Sequence, residues 1–121
     1  MAKYIMIAMG GAGGAVLRFL VSGVFYNPAL NAFPWGTLIV NGLGSLLLGL
    51  FLGFSPGQNK MYFFLVVGLL GAFTTFSTFS YETIHLLRIA AVNTALINIA
   101  ANVLFSLSAV LGGYYFSALL R

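Results

Sequence analysis

The chain has 121 residues, of which 61% are hydrophobic and only 5% charged, and its mean hydropathy is +1.07. An ordinary globular domain is about 25% charged, so a soluble fold is excluded, and the length leaves room for four membrane spans of about 20 residues and little else. The net charge of +4 comes from five scattered basic residues, enough to flank membrane segments or attract anions and anionic lipid, but not a nucleic-acid patch.

Span one is predicted over about 4–26. Lys3 before an apolar run mimics a signal peptide, but no soluble mature domain follows, so the run reads as a retained helix. Gly10 and Gly14 form a small-xxx-small face that admits a neighbouring backbone. Arg18 stands inside the span, where a charge must snorkel to the interface or face water. Asn27-Pro28 and Phe33-Pro34 bracket a short loop, since proline lacks an amide and disfavours helix in the residue before it. Span two follows over about 35–54 and opens Gly36-Thr37-Leu38-Ile39-Val40-Asn41. Asn41 lies in an apolar run and needs a partner, either on another helix or in an aqueous path. Gly49 and Gly53 are read as packing positions, and Ser55 to Lys60 as a polar turn.

Span three covers about 61–88 with no turn signal. A continuous helix of that length would run about 42 Å, longer than the roughly 30 Å hydrocarbon core. Within it, Gly68 to Glu82 carries two glycines, three phenylalanines, six hydroxyl-bearing residues and the one acidic residue of the chain. Such residues loosen a helix or compete for its backbone hydrogen bonds, and at membrane depth they belong against protein or a cavity. A break is therefore predicted at Gly71-Ala72-Phe73-Thr74-Thr75, near the bilayer midplane, where exposed backbone groups build ion sites in many transport proteins. Beyond the break, Phe76 and Phe79 share one helix face, as do Thr78 and Glu82. Phenylalanines at this spacing alone more often meet lipid or core than an ion. His85 and Arg88 are assigned to the interface. Span four is predicted over about 91–120, where Thr94, Asn98, Asn102 and Ser106 recur every four residues. That stripe must face protein or water.

Three stretches resemble the Fluc (CrcB) family of fluoride channels. They are Gly10-Gly11-x-x-Gly14-Ala15-x-x-Arg18-Phe19 (with phenylalanine where the family commonly has tyrosine), Gly36-Thr37-x-x-Val40-Asn41, and Gly68-x-x-Gly71-x-x-Thr74-Thr75-Phe76-Ser77-Thr78-Phe79-Ser80. The resemblance implies an all-α integral membrane protein with four transmembrane helices and a broken third helix. It implies an antiparallel, dual-topology homodimer in the inner membrane of a prokaryote, with two pores exporting fluoride passively. By the same resemblance Asn41 and Ser106 line the pore, Phe76 and Phe79 present ring edges to the ion, and Arg18 draws anions into a vestibule. Ser77, Thr78, Ser80 and Glu82 are grouped with them as pore residues. The carbonyls of Gly71 and Thr74 are implied to hold a structural sodium ion on the dimer axis.

The chemistry is consistent with that reading. Fluoride is small and strongly hydrated, so a path must replace its water with many weak donors, which amides and hydroxyls supply. A phenylalanine edge carries partial positive charge and contacts an anion without trapping it. Catalysis is excluded: one Glu, one His and no Asp or Cys give no carboxylate pair, triad or metal cluster. A small four-helix drug or metabolite exporter is the alternative, but the glutamate its first helix would need is missing. A structural or assembly subunit leaves the polar run of span three unexplained. If both termini share a side, Lys3, Lys60 and Arg121 oppose Arg88 and Arg18, a bias too small to select one orientation.

Overall fold

The computed structural model describes residues 1–27, 32–54, 57 and 59–120. Pro28 of the first loop, Ser55, Pro56 and Gln58 of the polar turn, and Arg121 of the charge balance lie outside the described residues. The described residues form helices and no strand, and four helical stretches are long and apolar enough to cross a membrane. They are α1 (Ala2–Val24), α2 (Trp35–Phe54), the third span (Lys60–Arg88) and a final helix (Val92–Leu119). The predicted spans match to within about two residues at each end, the ordinary scatter of helix termini.

The third span is interrupted. Its first half, α3 (60–73), begins where the Asn59 side-chain oxygen accepts the Tyr62 N–H at 2.9 Å. Phe63–Leu70 then widens into a π-helix, with the Gly71 N–H reaching the carbonyls of Gly68 and Val66. Thr74 and Thr75 are extended, at φ −74°, ψ 154° and φ −149°, ψ 113°. The second half is α4 (Phe76–Arg88), and the final helix is α5 (Val92–Leu119). The break thus falls at the last two residues of the predicted interval, and Gly71 itself stays helical. The π-helix has no counterpart in the sequence reading, because the apolar run Phe63–Leu70 has no polar side from which a wider turn shows.

Backbone-close packing holds the bundle together. α2 and α5 make the most extensive contact. Gly49 lies against the Val110 carbonyl, Gly53 against the Ser117 hydroxyl and Gly113 against the Leu46 carbonyl, so a Cβ at any of them would collide. On the other side, Gly10 and Gly14 of α1 sit against the backbone of Phe64 and Leu69 in the π-helix. This is the close approach that small residues permit between membrane helices. Arg18, on α1, is half-buried.

Candidate functional site

Side chains, not glycine, make the break. The Thr75 N–H would close a helical turn onto the Gly71 carbonyl, but it donates instead to Asn41 Oδ1 of α2 at 2.8 Å. The Thr78 N–H, the helical partner for Thr74, donates to Thr75 Oγ1 at 3.2 Å, so Thr75 is the N-cap of α4. The Thr75 and Thr78 hydroxyls also meet at 2.9 Å. Two carbonyls, those of Gly71 and Thr74, are thereby left outside the helical ladder at the middle of the span.

Behind the break runs a line of amides. Asn41 Nδ2 donates to the Thr75 carbonyl at 3.2 Å and to Asn102 Oδ1 at 3.0 Å. Asn102 Nδ2 donates to Asn98 Oδ1 at 2.8 Å and to the Asn98 carbonyl at 3.2 Å. Asn98 Nδ2 donates to Thr83 Oγ1 at 3.0 Å, and that hydroxyl donates to the Phe79 carbonyl at 2.8 Å. Asn98 is fully buried and Asn102 is 5% exposed. Of the polar stripe predicted to face protein or water, the two asparagines face protein and tie α5 to α2 and α4, while Ser106 lines a cavity.

Two cavities flank this construction. The first, of about 440 Å³, is lined by Asn41, Gly71, Thr74, Thr75, Phe76, Phe79, Asn102 and Ser106 among others. The second, of about 580 Å³, lies towards the end of α4 and includes Thr37, Thr78, Tyr81, Glu82 and His85. There the Thr37 hydroxyl donates to Glu82 Oε1 at 2.7 Å, while Oε2 is buried without a partner among the described residues. Phe79 belongs to the wall of the first cavity and is one helical turn from Glu82.

Of the residues singled out in the sequence, Asn41, Phe76, Phe79, Ser106, Gly71 and Thr74 come together at the first cavity. Thr78 and Glu82 come together at the second. The Phe76 and Phe79 rings are 5.4 Å apart and tilted by 53°. Phe79 is 8% exposed and Phe76 77%, so one ring is enclosed by this chain and the other stands outside it. Arg18, Ser77 and Ser80 line neither cavity. The Ser77 hydroxyl pairs with Thr75 Oγ1 at 3.2 Å, and Ser80 donates to the Phe76 carbonyl at 2.9 Å. Thr37 and Thr75 belong to the motifs but not to the predicted site, and Thr83 to neither, yet Thr37 pairs with one oxygen of Glu82, Thr75 caps α4 and Thr83 anchors Asn98. A signal existed for the first of them: Thr37 precedes Asn41 by four residues, on the same helical face.

Residues 5–114 match the family described as CrcB-like protein, Camphor Resistance (CrcB). The chain is 45% identical over 112 residues to a fluoride-specific ion channel FluC of Hydrogenovibrio crunogenus, covering 89% of this chain and 85% of that protein. A protein of the same name from Thermococcus kodakarensis is 47% identical over 113 residues, covering 89% of each. One from Dehalococcoides mccartyi is 42% identical over 125 aligned positions, covering 100% of this chain and 96% of its own length.

Proposed function

Because the chain belongs to the CrcB family, we propose that it is a fluoride channel, a multi-pass membrane protein that conducts the ion passively rather than an enzyme. The observation that carries the reading is the convergence, at one broken helix, of the residues that carry the family resemblance. Asn41, Phe76, Phe79 and Ser106 share a cavity lined by amide, hydroxyl and aromatic groups and by no charged side chain. An anion is attracted there without being held permanently, which conduction requires. The path runs from the second cavity, past Thr78 and Glu82, along Phe79 to the first cavity. Arg18 acts at a distance, by raising the local anion concentration.

The working form is an antiparallel homodimer in the inner membrane, with two pores. Phe76, at 77% exposed in a single chain, and Gly71, exposed beside the break, are supports for a second copy on this face. The carbonyls of Gly71 and Thr74 fit a sodium ion between the copies, because both have lost their helical donors and both are hard oxygen ligands. Held by these carbonyls, such an ion would supply a fixed positive charge at the break.

The test is fluoride and chloride efflux from liposomes holding the purified protein, with and without a proton gradient. Fluoride efflux is expected to be fast, independent of protons and far faster than chloride efflux. Equal rates, or strict dependence on a proton gradient, would refute the channel reading.

A further inference from the structure

The orientation of every amide behind the break is fixed by backbone groups that have only one hydrogen-bonding sense. The Thr75 N–H can only donate, so the side-chain atom 2.8 Å from it must be the Asn41 oxygen. Asn41 Nδ2 then faces Thr75 O and Asn102 Oδ1. At the far end the Asn98 carbonyl can only accept, so Asn102 turns Nδ2 towards it and Oδ1 towards Asn41. No amide in the row can flip without opposing like atoms.

A carboxamide nitrogen carries two hydrogens, and both of those on Asn41 are taken, one by Thr75 and one by Asn102. Asn41 therefore has no free donor for an anion that enters the cavity it lines. One bond must open. The bond to the Thr75 carbonyl is one of a pair that Asn41 makes with the backbone of that residue, and opening it unsettles the break. The bond to Asn102 joins two side chains, both of which line the cavity, so it is the one that can be exchanged.

We infer that Asn102 is a placeholder acceptor: its Oδ1 holds the Asn41 N–H that a passing fluoride takes, and receives it back when the ion leaves. Asn98 is the positioning residue that keeps Asn102 in this pose. Exchange of one acceptor for another lowers the net affinity for the ion and keeps the site able to release it. The inference rests on the reading of Asn41 as a donor in the fluoride path.

Removing the placeholder gives an unusual sign. Asn102→Leu keeps the branched side-chain shape but has no acceptor, so fluoride meets an Asn41 N–H without a competitor. The half-saturating fluoride concentration for liposome flux is expected to fall about tenfold, the worth of one hydrogen bond, and the maximal flux to fall with it as release slows. Asn98→Ala leaves Asn102 its bond to the residue 98 carbonyl, so its shift should go the same way and be smaller. A role in packing alone lowers flux without lowering the half-saturating concentration, and that result overturns the inference. The wild-type protein provides a second measurement that does not depend on the variant folding. With asparagine side chains labelled with ¹⁵N, sodium fluoride should move the carboxamide resonances of Asn41 and Asn102 with one common midpoint. Movement of Asn41 with Asn102 unmoved overturns the inference and leaves the channel reading intact. A wild-type protein that passes no fluoride, or an Asn41 resonance blind to it, overturns the donor reading and the inference together.

Discussion

Where α2 meets α5, glycine lets backbone lie on backbone; where the third span breaks, amides and hydroxyls hold two stranded peptide groups apart. Gly49, Gly53 and Gly113 leave no room for another atom, and no side-chain amide takes part at these three contacts. At the break, Asn41 and Thr75 capture the N–H groups that would have continued the helix. In the first region shape carries the energy, so added volume is the threat and polarity matters little. In the second, polarity carries it, so an apolar substitution of like shape does the damage. A pore needs the second kind of region, because an anion can replace a hydrogen-bond acceptor but cannot replace a packed helix.

The largest effect is expected in the packed region. Gly49→Leu drives a side chain into the Val110 carbonyl, which is backbone and cannot rotate away. Overpacking costs typically about 1–3 kcal/mol where neighbours give, so the cost here should be at or above the top of that range. Size-exclusion chromatography should show little monodisperse protein. A stable Gly49→Leu protein with wild-type flux would break the contrast between the two regions.

Asn41→Leu tests the other region by removing polarity while keeping the branched side-chain shape. It strands the N–H of Thr75, at about 1–3 kcal/mol when buried and unpaired, while the Thr75 carbonyl keeps the helical donor of an N-cap residue. Fluoride flux per folded protein should fall roughly a hundredfold, the equivalent of about 2.7 kcal/mol at one end of that range. Unlike Gly49→Leu, the protein should still elute as a single species, and an undiminished flux would show that the break stands without Asn41.

The phenylalanines sharpen the comparison because they differ in exposure. Phe79→Ile and Phe76→Ile both remove a ring edge and should each slow fluoride flux about tenfold, within the energy of an aromatic contact. Phe79 is enclosed, so its loss should also lower the melting temperature, whereas Phe76 is outside and its loss should not lower that of the separated chain. Phe73→Ile is the packing control. Phe73 lies against Gly44 and lines neither cavity, so it should cost stability while flux per folded protein stays near wild type. Equal flux losses in all three variants would mean that ring edges have no special part in conduction.

These contrasts also explain what the sequence could tell. The four spans were legible because each is an apolar run bounded by proline or polar residues, and the break was legible because the span is too long and its hydroxyls are too many. Its position within Gly71 to Thr75 was not, since the residue that decides it, Asn41, stands on another helix 34 positions earlier. The stripe of Thr94, Asn98, Asn102 and Ser106 showed which face of α5 was polar, but not that Asn98 reaches Thr83 and Asn102 reaches Asn41. Those partners are properties of the packed bundle. The π-helix left no trace, because a uniformly apolar run looks the same at either pitch.

The smallest effect lies at the joint between α4 and α5, which belongs to neither region. The Ala91 N–H donates to the Leu86 carbonyl at 2.9 Å and the Ala90 N–H to the Leu87 carbonyl at 3.1 Å, the paired bonds of a Schellman helix end. The motif puts its C′ residue in the left-handed region, and Ala90 sits there at φ 60°. Glycine is the usual occupant because a Cβ in that conformation costs roughly 1–2 kcal/mol. Ala90→Gly removes this strain but adds backbone freedom to the unfolded chain, which returns about 0.5–1 kcal/mol of it. The net gain should be about 0.5–1 kcal/mol, visible as a small rise in the midpoint of detergent-induced unfolding, with fluoride flux unchanged. A gain accompanied by slower flux would mean instead that strain at this joint is transmitted through α4 to Phe79 and the break, and that the two regions are not mechanically separate.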